Sequence, residues 1–247
     1  MMFDAHVHMG YYTRQGLDEP WYYSPRRVAG VLDRCGVDEF IVSSTCAQVG
    51  SISMWDLNRE ARELKRIAGG RAHLFLWVTG RLLENDPQLM VLNEGLYEGL
   101  KLHEMETPWV RDRRSCLERV LKIAEERSLP VQFHSATIGT CSPNALARFA
   151  NKFHDVRFDF AHCFDMIEMT RVMADLPNVW TDTAYLPFEL FQYLSDYEWH
   201  ERLMFGTDLP VWQAQAKCGL TERYRQYVAA WERTGINGKK AFHSFLG

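Results

Sequence analysis

The sequence predicts an α/β fold, a single-domain (β/α)8 TIM barrel over residues 1–247, and two observations predict it. Short apolar, β-branched and aromatic runs alternate with amphipathic stretches of helical period along the whole chain. Successive runs also end in ionisable or metal-compatible side chains, and functional residues at the C-terminal ends of parallel strands mark that barrel. The pattern places strands near 2–7, 38–43, 73–78, 98–102, 130–134, 156–161, 178–183 and 202–206. It places helices near 25–35, 54–68, 86–93, 112–128, 142–152, 164–175, 187–194 and 220–233. Ser24-Pro25 and Ser142-Pro143 each read as an N-cap followed by proline in the first turn, and Gly36 and Gly69-Gly70 fit helix ends. There is no internal repeat, low-complexity tract or linker.

Bulk numbers narrow the function classes. At 247 residues the chain suits one large domain, and 47% hydrophobic with 24% charged residues is ordinary globular composition. A net charge of −4 argues against a polyanion-binding surface, so a nucleic-acid partner is not expected. No basic segment followed by an apolar one opens the chain, and no run reaches the length of a membrane span. A cytoplasmic protein with a small-molecule substrate and no membrane partner is expected, with self-association left open. The six cysteines have irregular spacing and no CxxC pair, so no disulfide framework is expected.

His6-Val7-His8 ends the first run, and residues two apart on a strand share a face, so two imidazoles can close on one ion. Later runs end in Lys101-Leu102-His103, Phe133-His134-Ser135, Ala161-His162-Cys163 and Gly206-Thr207-Asp208-Leu209-Pro210. The segment after the first strand, residues 9–23, is rich in aromatics and also carries Arg14. It reads as a substrate wall or as a subunit contact.

The ordered set Asp4-Ala5-His6-Val7-His8, Lys101/His103, His134, His162 and Gly206-Thr207-Asp208-Leu209-Pro210 resembles the amidohydrolase superfamily. The likeness is to its amidohydrolase 2 branch of TIM-barrel metal-dependent hydrolases, with TatD-like proteins more distant, and it spans the chain. It implies that His6, His8, His134 and Asp208 hold one divalent ion at the barrel mouth. Three nitrogens and a carboxylate oxygen suit zinc, with manganese or a binuclear site as alternatives. The ion would bring the pKa of a bound water from about 15.7 to near 7, and Asp208 would take its proton. Alternating side chains put Asp4 on the face of His6, one pleat deeper, where it would orient an imidazole. His162 would be a second-metal ligand or, as the resemblance to mononuclear members favours, would stay unligated and polarise a substrate carbonyl or shuttle a proton.

Lys101 and His103 share one strand face where TatD-like relatives carry a glutamate, so no unmodified bridging carboxylate is available. One metal is expected, with Lys101 an unmodified amine; a carbamylated Lys101 bridging two metals is the alternative. Lys101, His103, Arg14 and Trp212 are the expected substrate-binding residues. The function implied is hydrolysis of an ester, lactone or amide of a small molecule. A decarboxylase or hydratase of a small carboxylic acid on the same barrel is the first alternative, and a non-catalytic metal-binding barrel the second.

Overall fold

The computed structural model describes residues 2–12, 21–45, 54–78, 95–103, 114–137, 139–211 and 219–247. Nine strands form one sheet: β1 (Met2–Tyr12), β2 (Trp21–Tyr23), β3 (Val37–Ser44), β4 (Ala72–Trp77), β5 (Gly99–Leu102), β6 (Val131–Phe133), β7 (Phe158–Phe160), β8 (Val179–Asp182) and β9 (Leu203–Met204). Their order is β2-β1-β3-β4-β5-β6-β7-β8-β9, parallel throughout except for β2. Helices fill the intervals: α1 (Pro25–Arg34), α2 (Met54–Ala68), α3 (Arg114–Glu126), α4 (Pro143–Lys152), α5 (Met166–Asp175), the short α6 (Phe188–Phe191) and α7 (Leu220–Thr234), with α8 (Gly238–Leu246) last. Beyond β9 the chain returns to the first parallel strand. Ala5 N–H donates to Phe205 O, Asp208 N–H to His6 O and His8 N–H to Leu209 O, and Val7 bridges Leu209 in parallel. No described helix is long and apolar enough to cross a membrane.

The local signals act as expected. Ser24 Oγ accepts from Arg27 N–H at 3.2 Å and Ser142 Oγ from Ala145 N–H at 3.3 Å, each with proline in the first turn. Differences lie where the two-residue or 3.6-residue pattern is interrupted. The first strand runs on to Tyr12 and pairs antiparallel with β2, setting Tyr11 and Tyr22 4.7 Å apart, within the aromatic-rich segment 9–23. The helix expected over 187–194 is a single turn followed by two 3-10 segments, Leu194–Asp196 and Glu198–Arg202. There Trp199 turns inward and its Nε1 donates to Thr170 Oγ1. The helix expected over 86–93 lies outside the described residues.

Inward-facing residues split the sheet interior into two levels. At the N-terminal level Phe3, Ala5, Ile41, Phe75, Trp180 and Met204 pack with Ala241, Phe242 and Phe245 of α8, which plugs that end. The plug is tight at Gly99, the register partner of Phe75, where a Cβ would stand 2.5 Å from the Phe75 ring. Around it His73 bonds Glu98 through Nδ1 at 2.6 Å and Glu39 through Nε2 at 3.2 Å, and Lys65 also bonds Glu98.

Two outcomes follow from this end of the molecule. Gly99→Ala overpacks the plug and should lower stability by about 1–3 kcal/mol, measured by urea unfolding. Burial raises the Glu98 carboxyl, but the hydrogen bonds and charges of His73 and Lys65 outweigh it and hold the group below the usual glutamate range. A carboxyl with a depressed folded pKa contributes stability above its unfolded pKa, about 4.3, and loses it as the pH falls through the folded value. Glu98→Gln should therefore lower the urea midpoint at neutral pH, and the difference from wild type should close by about pH 3. Since Glu98 is 36% exposed, the gap at neutral pH should be about 1 kcal/mol or less.

Candidate metal centre

β1 does not keep strict alternation. Its register against β3 shifts between Asp4 and Val7, so Asp4 and His6 part company. Asp4 turns to Tyr224 of α7, whose hydroxyl donates at 2.8 Å, and takes Thr207 Oγ1–H, Thr207 N–H and the backbone N–H of His6. The alternation argument had placed this carboxylate behind an imidazole. The bulge puts it behind the backbone instead, where it ties His6 to the Thr207-Asp208 segment.

His6 points into the site. Its Nδ1 meets Asp182 Oδ2 at 2.8 Å, which makes Nδ1 the protonated nitrogen and leaves the Nε2 lone pair facing the mouth. His8 Nδ1 meets Ser43 Oγ at 3.0 Å, turning its Nε2 the same way. The two Nε2 atoms stand 3.2 Å apart, and Asp208 Oδ1 lies 3.1 Å from that of His8 and 3.7 Å from that of His6. Ligand atoms about 2.1 Å from one tetrahedral ion stand about 3.4 Å apart, so this triangle fits a divalent cation. Burial, reinforced by Lys101 and neighbouring histidines, holds His6 well below the usual imidazole range, and burial with Lys101 brings His134 down to about 3. Neutral imidazoles are the form that ligates.

His134 enters through His162. The only partner of His162 Nδ1 beside it is the carbonyl of Ala184 at 3.0 Å among the described residues, so that nitrogen donates. Its Nε2 must then accept, from His134 Nδ1–H at 3.0 Å, which leaves His134 Nε2 as a lone pair. Both ring nitrogens of His162 thus have partners inside the protein, and one of these partners is His134. The backbone pays for this placement: His162 has φ 79° and Asp208 φ 57°. His162 N–H to Asp182 Oδ1 and Asp208 N–H to His6 O hold the two in place.

Asp182 was missed by the sequence reading. It is fully buried and accepts from His6, from His162 N–H and from Ala184 N–H. It also makes a second triad with His6 and His162, though the nitrogens there already serve hydrogen bonds. The rule that picked out the other strand ends would have found it at the end of Val179-Trp180-Thr181-Asp182. Gly206 packs tightly beside it, since a Cβ there would stand 3.1 Å from both Asp182 and His6 side-chain carbons. Beneath, Gln132 Nε2 donates to Asp159 Oδ2 and Ala5 O, and burial together with Asp182 pushes the Asp159 carboxyl well up.

Lys101 reaches the centre from β5, its Nζ 2.9 Å from His6 Nε2. Burial pulls the amine down to about 8, against the raising charges of Asp182, Asp208 and Asp159. His103 stacks on His134 at 3.9 Å and on Trp77 at 5.5 Å. Arg14 and Trp212 lie outside the described residues. Arg223 of α7, which sequence reasoning did not single out, sits 4.2 Å over the Phe188 ring.

No curated protein matches the sequence. Solved structures do match over nearly its full length. A protein assigned as a 2-pyrone-4,6-dicarboxylic acid hydrolase from Pseudomonas putida is 16% identical, with a TM-score of 0.66 over 99% of this chain and 97% of that one. The apo IDCase of Metarhizium anisopliae is 13% identical, with a TM-score of 0.65 over 100% and 94%. A TatD-like protein from Archaeoglobus fulgidus is 16% identical, with a TM-score of 0.65 over 99% of each. At such identities the likeness speaks for the fold, which is that of the TIM-barrel amidohydrolases. The family model described as amidohydrolase, of the amidohydrolase 2 group, matches residues 90–223, more than half of the sequence. The chain therefore belongs to the amidohydrolase family of metal-dependent hydrolases.

Proposed function

We propose that the chain closes as a (β/α)8 barrel, one domain over residues 1–247, and hydrolyses an ester, lactone or amide of a small molecule at its mouth. The observation that carries this is the triangle of His6 Nε2, His8 Nε2 and Asp208 Oδ1, with edges of 3.1–3.7 Å and its imidazoles fixed from behind by Asp182 and Ser43. These three and the lone pair of His134 Nε2 would hold one zinc ion. When bound, such an ion acidifies a water and polarises a carbonyl.

The remaining work falls to the protein. Asp208, beside His8 and pinned through its own N–H, is placed to accept a proton from the attacking water and return it to the leaving group. Lys101 stays an unmodified amine and offers N–H to substrate oxygen, and His103 lines the pocket beside it. Arg14 and Trp212 are assigned to the same pocket from the sequence. We place the enzyme in the cytoplasm, with a small molecule as partner, no nucleic acid or membrane, and room for a homo-oligomer. Likeness to IDCase favours decarboxylation or hydration of a small carboxylic acid as the second reading.

Elemental analysis of the zinc-loaded protein should give one equivalent per chain; two equivalents would overturn the single-ion assignment. Asp182→Asn removes an acceptor that fixes His6 and should weaken zinc binding about 10–100-fold in chelator competition. Asp208→Asn should keep its fold by circular dichroism and lose turnover by about 10²-fold or more, once a screen of lactones, amides and aromatic acids supplies a substrate. Near-normal turnover of metal-loaded Asp208→Asn would remove the base from this scheme.

A further inference from the structure

Trp77 ends β4 as the register partner of Lys101, and Val78 N–H donates to Lys101 O at 2.9 Å, so the side chain is carried to the level of the metal centre. The residue is 3% exposed, yet its indole Nε1 has no hydrogen-bond partner among the described residues. Leaving a buried donor unpaired costs about 1–3 kcal/mol, and native proteins leave few. The neighbours explain why nothing local pairs it. The indole lies parallel to His103, 12° between planes at 5.5 Å, so its N–H runs alongside the imidazole rather than toward a lone pair. His8, 5.4 Å away, has Nδ1 on Ser43 and Nε2 beside Asp208 and His6.

What would satisfy this donor is an acceptor that arrives with a ligand. Resting on the metal-dependent reading above, we infer that Trp77 is a substrate-binding residue whose indole N–H takes an sp² oxygen, carboxylate or carbonyl, of the molecule held over His6 and His8. Trp180 supplies an internal contrast. Its Nε1 is likewise unpartnered, but it is packed in the apolar plug with Phe245, where no ligand is expected.

The test uses zinc-loaded, ¹⁵N-labelled full chain, in which eight tryptophans give eight indole signals and Trp77→Phe and Trp180→Phe identify two of them. Isophthalate and its uncharged counterpart isophthalamide are titrated separately, which distinguishes a carboxylate from a neutral carbonyl. The Trp77 signal should move at saturation with at least one of them while the Trp180 signal stays. Trp77→Phe, which keeps an aromatic ring at the stack and removes the N–H, should bind that probe about tenfold more weakly by calorimetry. A Trp77 signal that neither probe moves, or equal affinity in wild type and Trp77→Phe, overturns the inference. Zinc content measured on the same samples separates the two readings: protein that takes up no zinc refutes the metal centre, whereas an unmoved Trp77 in zinc-loaded protein refutes only this donor.

Discussion

The candidate site at the strand ends depends on the hydrogen bond between His6 Nδ1 and Asp182. It decides which nitrogen of His6 carries the proton, and so which way the lone pair points. The same carboxylate fixes the backbone of His162, and His162 in turn decides the tautomer of His134. One buried acid thus sets the state of the His6 imidazole directly and holds the backbone of His162, whose ring meets His134. Gly206 belongs to this arrangement, because any side chain there would press on both members of the pair.

The strands supply the rigidity that such a relay needs. His162 and Asp208 sit in left-handed backbone conformations that cost a non-glycine residue about 1–3 kcal/mol each. They persist because hydrogen bonds from neighbouring strands over-determine them. Asp4 does comparable work on the opposite side: four donors converge on its two oxygens and join β1, the segment after β9 and α7. Burial raises this carboxyl to about 7, even with those bonds holding it down. Its place is behind the backbone of His6 and Thr207, where position matters more than charge.

The alternating pattern made the parallel framework legible, the Ser-Pro pairs made the caps at Ser24 and Ser142 legible, and the family resemblance implied the convergence of His6, His8 and Asp208. Periodicity works there because one face of each element is uniformly apolar. It fails where geometry is set by a partner distant in sequence. The register shift in β1 leaves no mark in Phe3-Asp4-Ala5-His6, so the face of Asp4 could not be read from alternation. α8 is short and terminal, and its Phe242 and Phe245 make sense only once the open end of the barrel is known. Asp182 was within reach of the strand-end rule, whereas Gln132 and Asp159 lie inside strands that sequence alone assigns to packing.

The charges buried in the mouth favour a cation beyond Lys101. Asp182 accepts from His6, His162 N–H, Ala184 N–H and Gln132, and Asp208 faces two imidazoles. Against these acids the described mouth sets a single lysine, itself weakened by burial, while His6, His134 and His162 are pressed toward neutrality. Buried acids in such surroundings are stable when paired or coordinating. A dication held by His6, His8 and Asp208 would supply positive charge at the point where their three ligand atoms converge. The contact of Lys101 with His6 Nε2 would then have to yield, since a lone pair given to a metal cannot also accept from an amine. That release would free the Lys101 amine for substrate oxygen, which links metal loading to the readiness of the pocket.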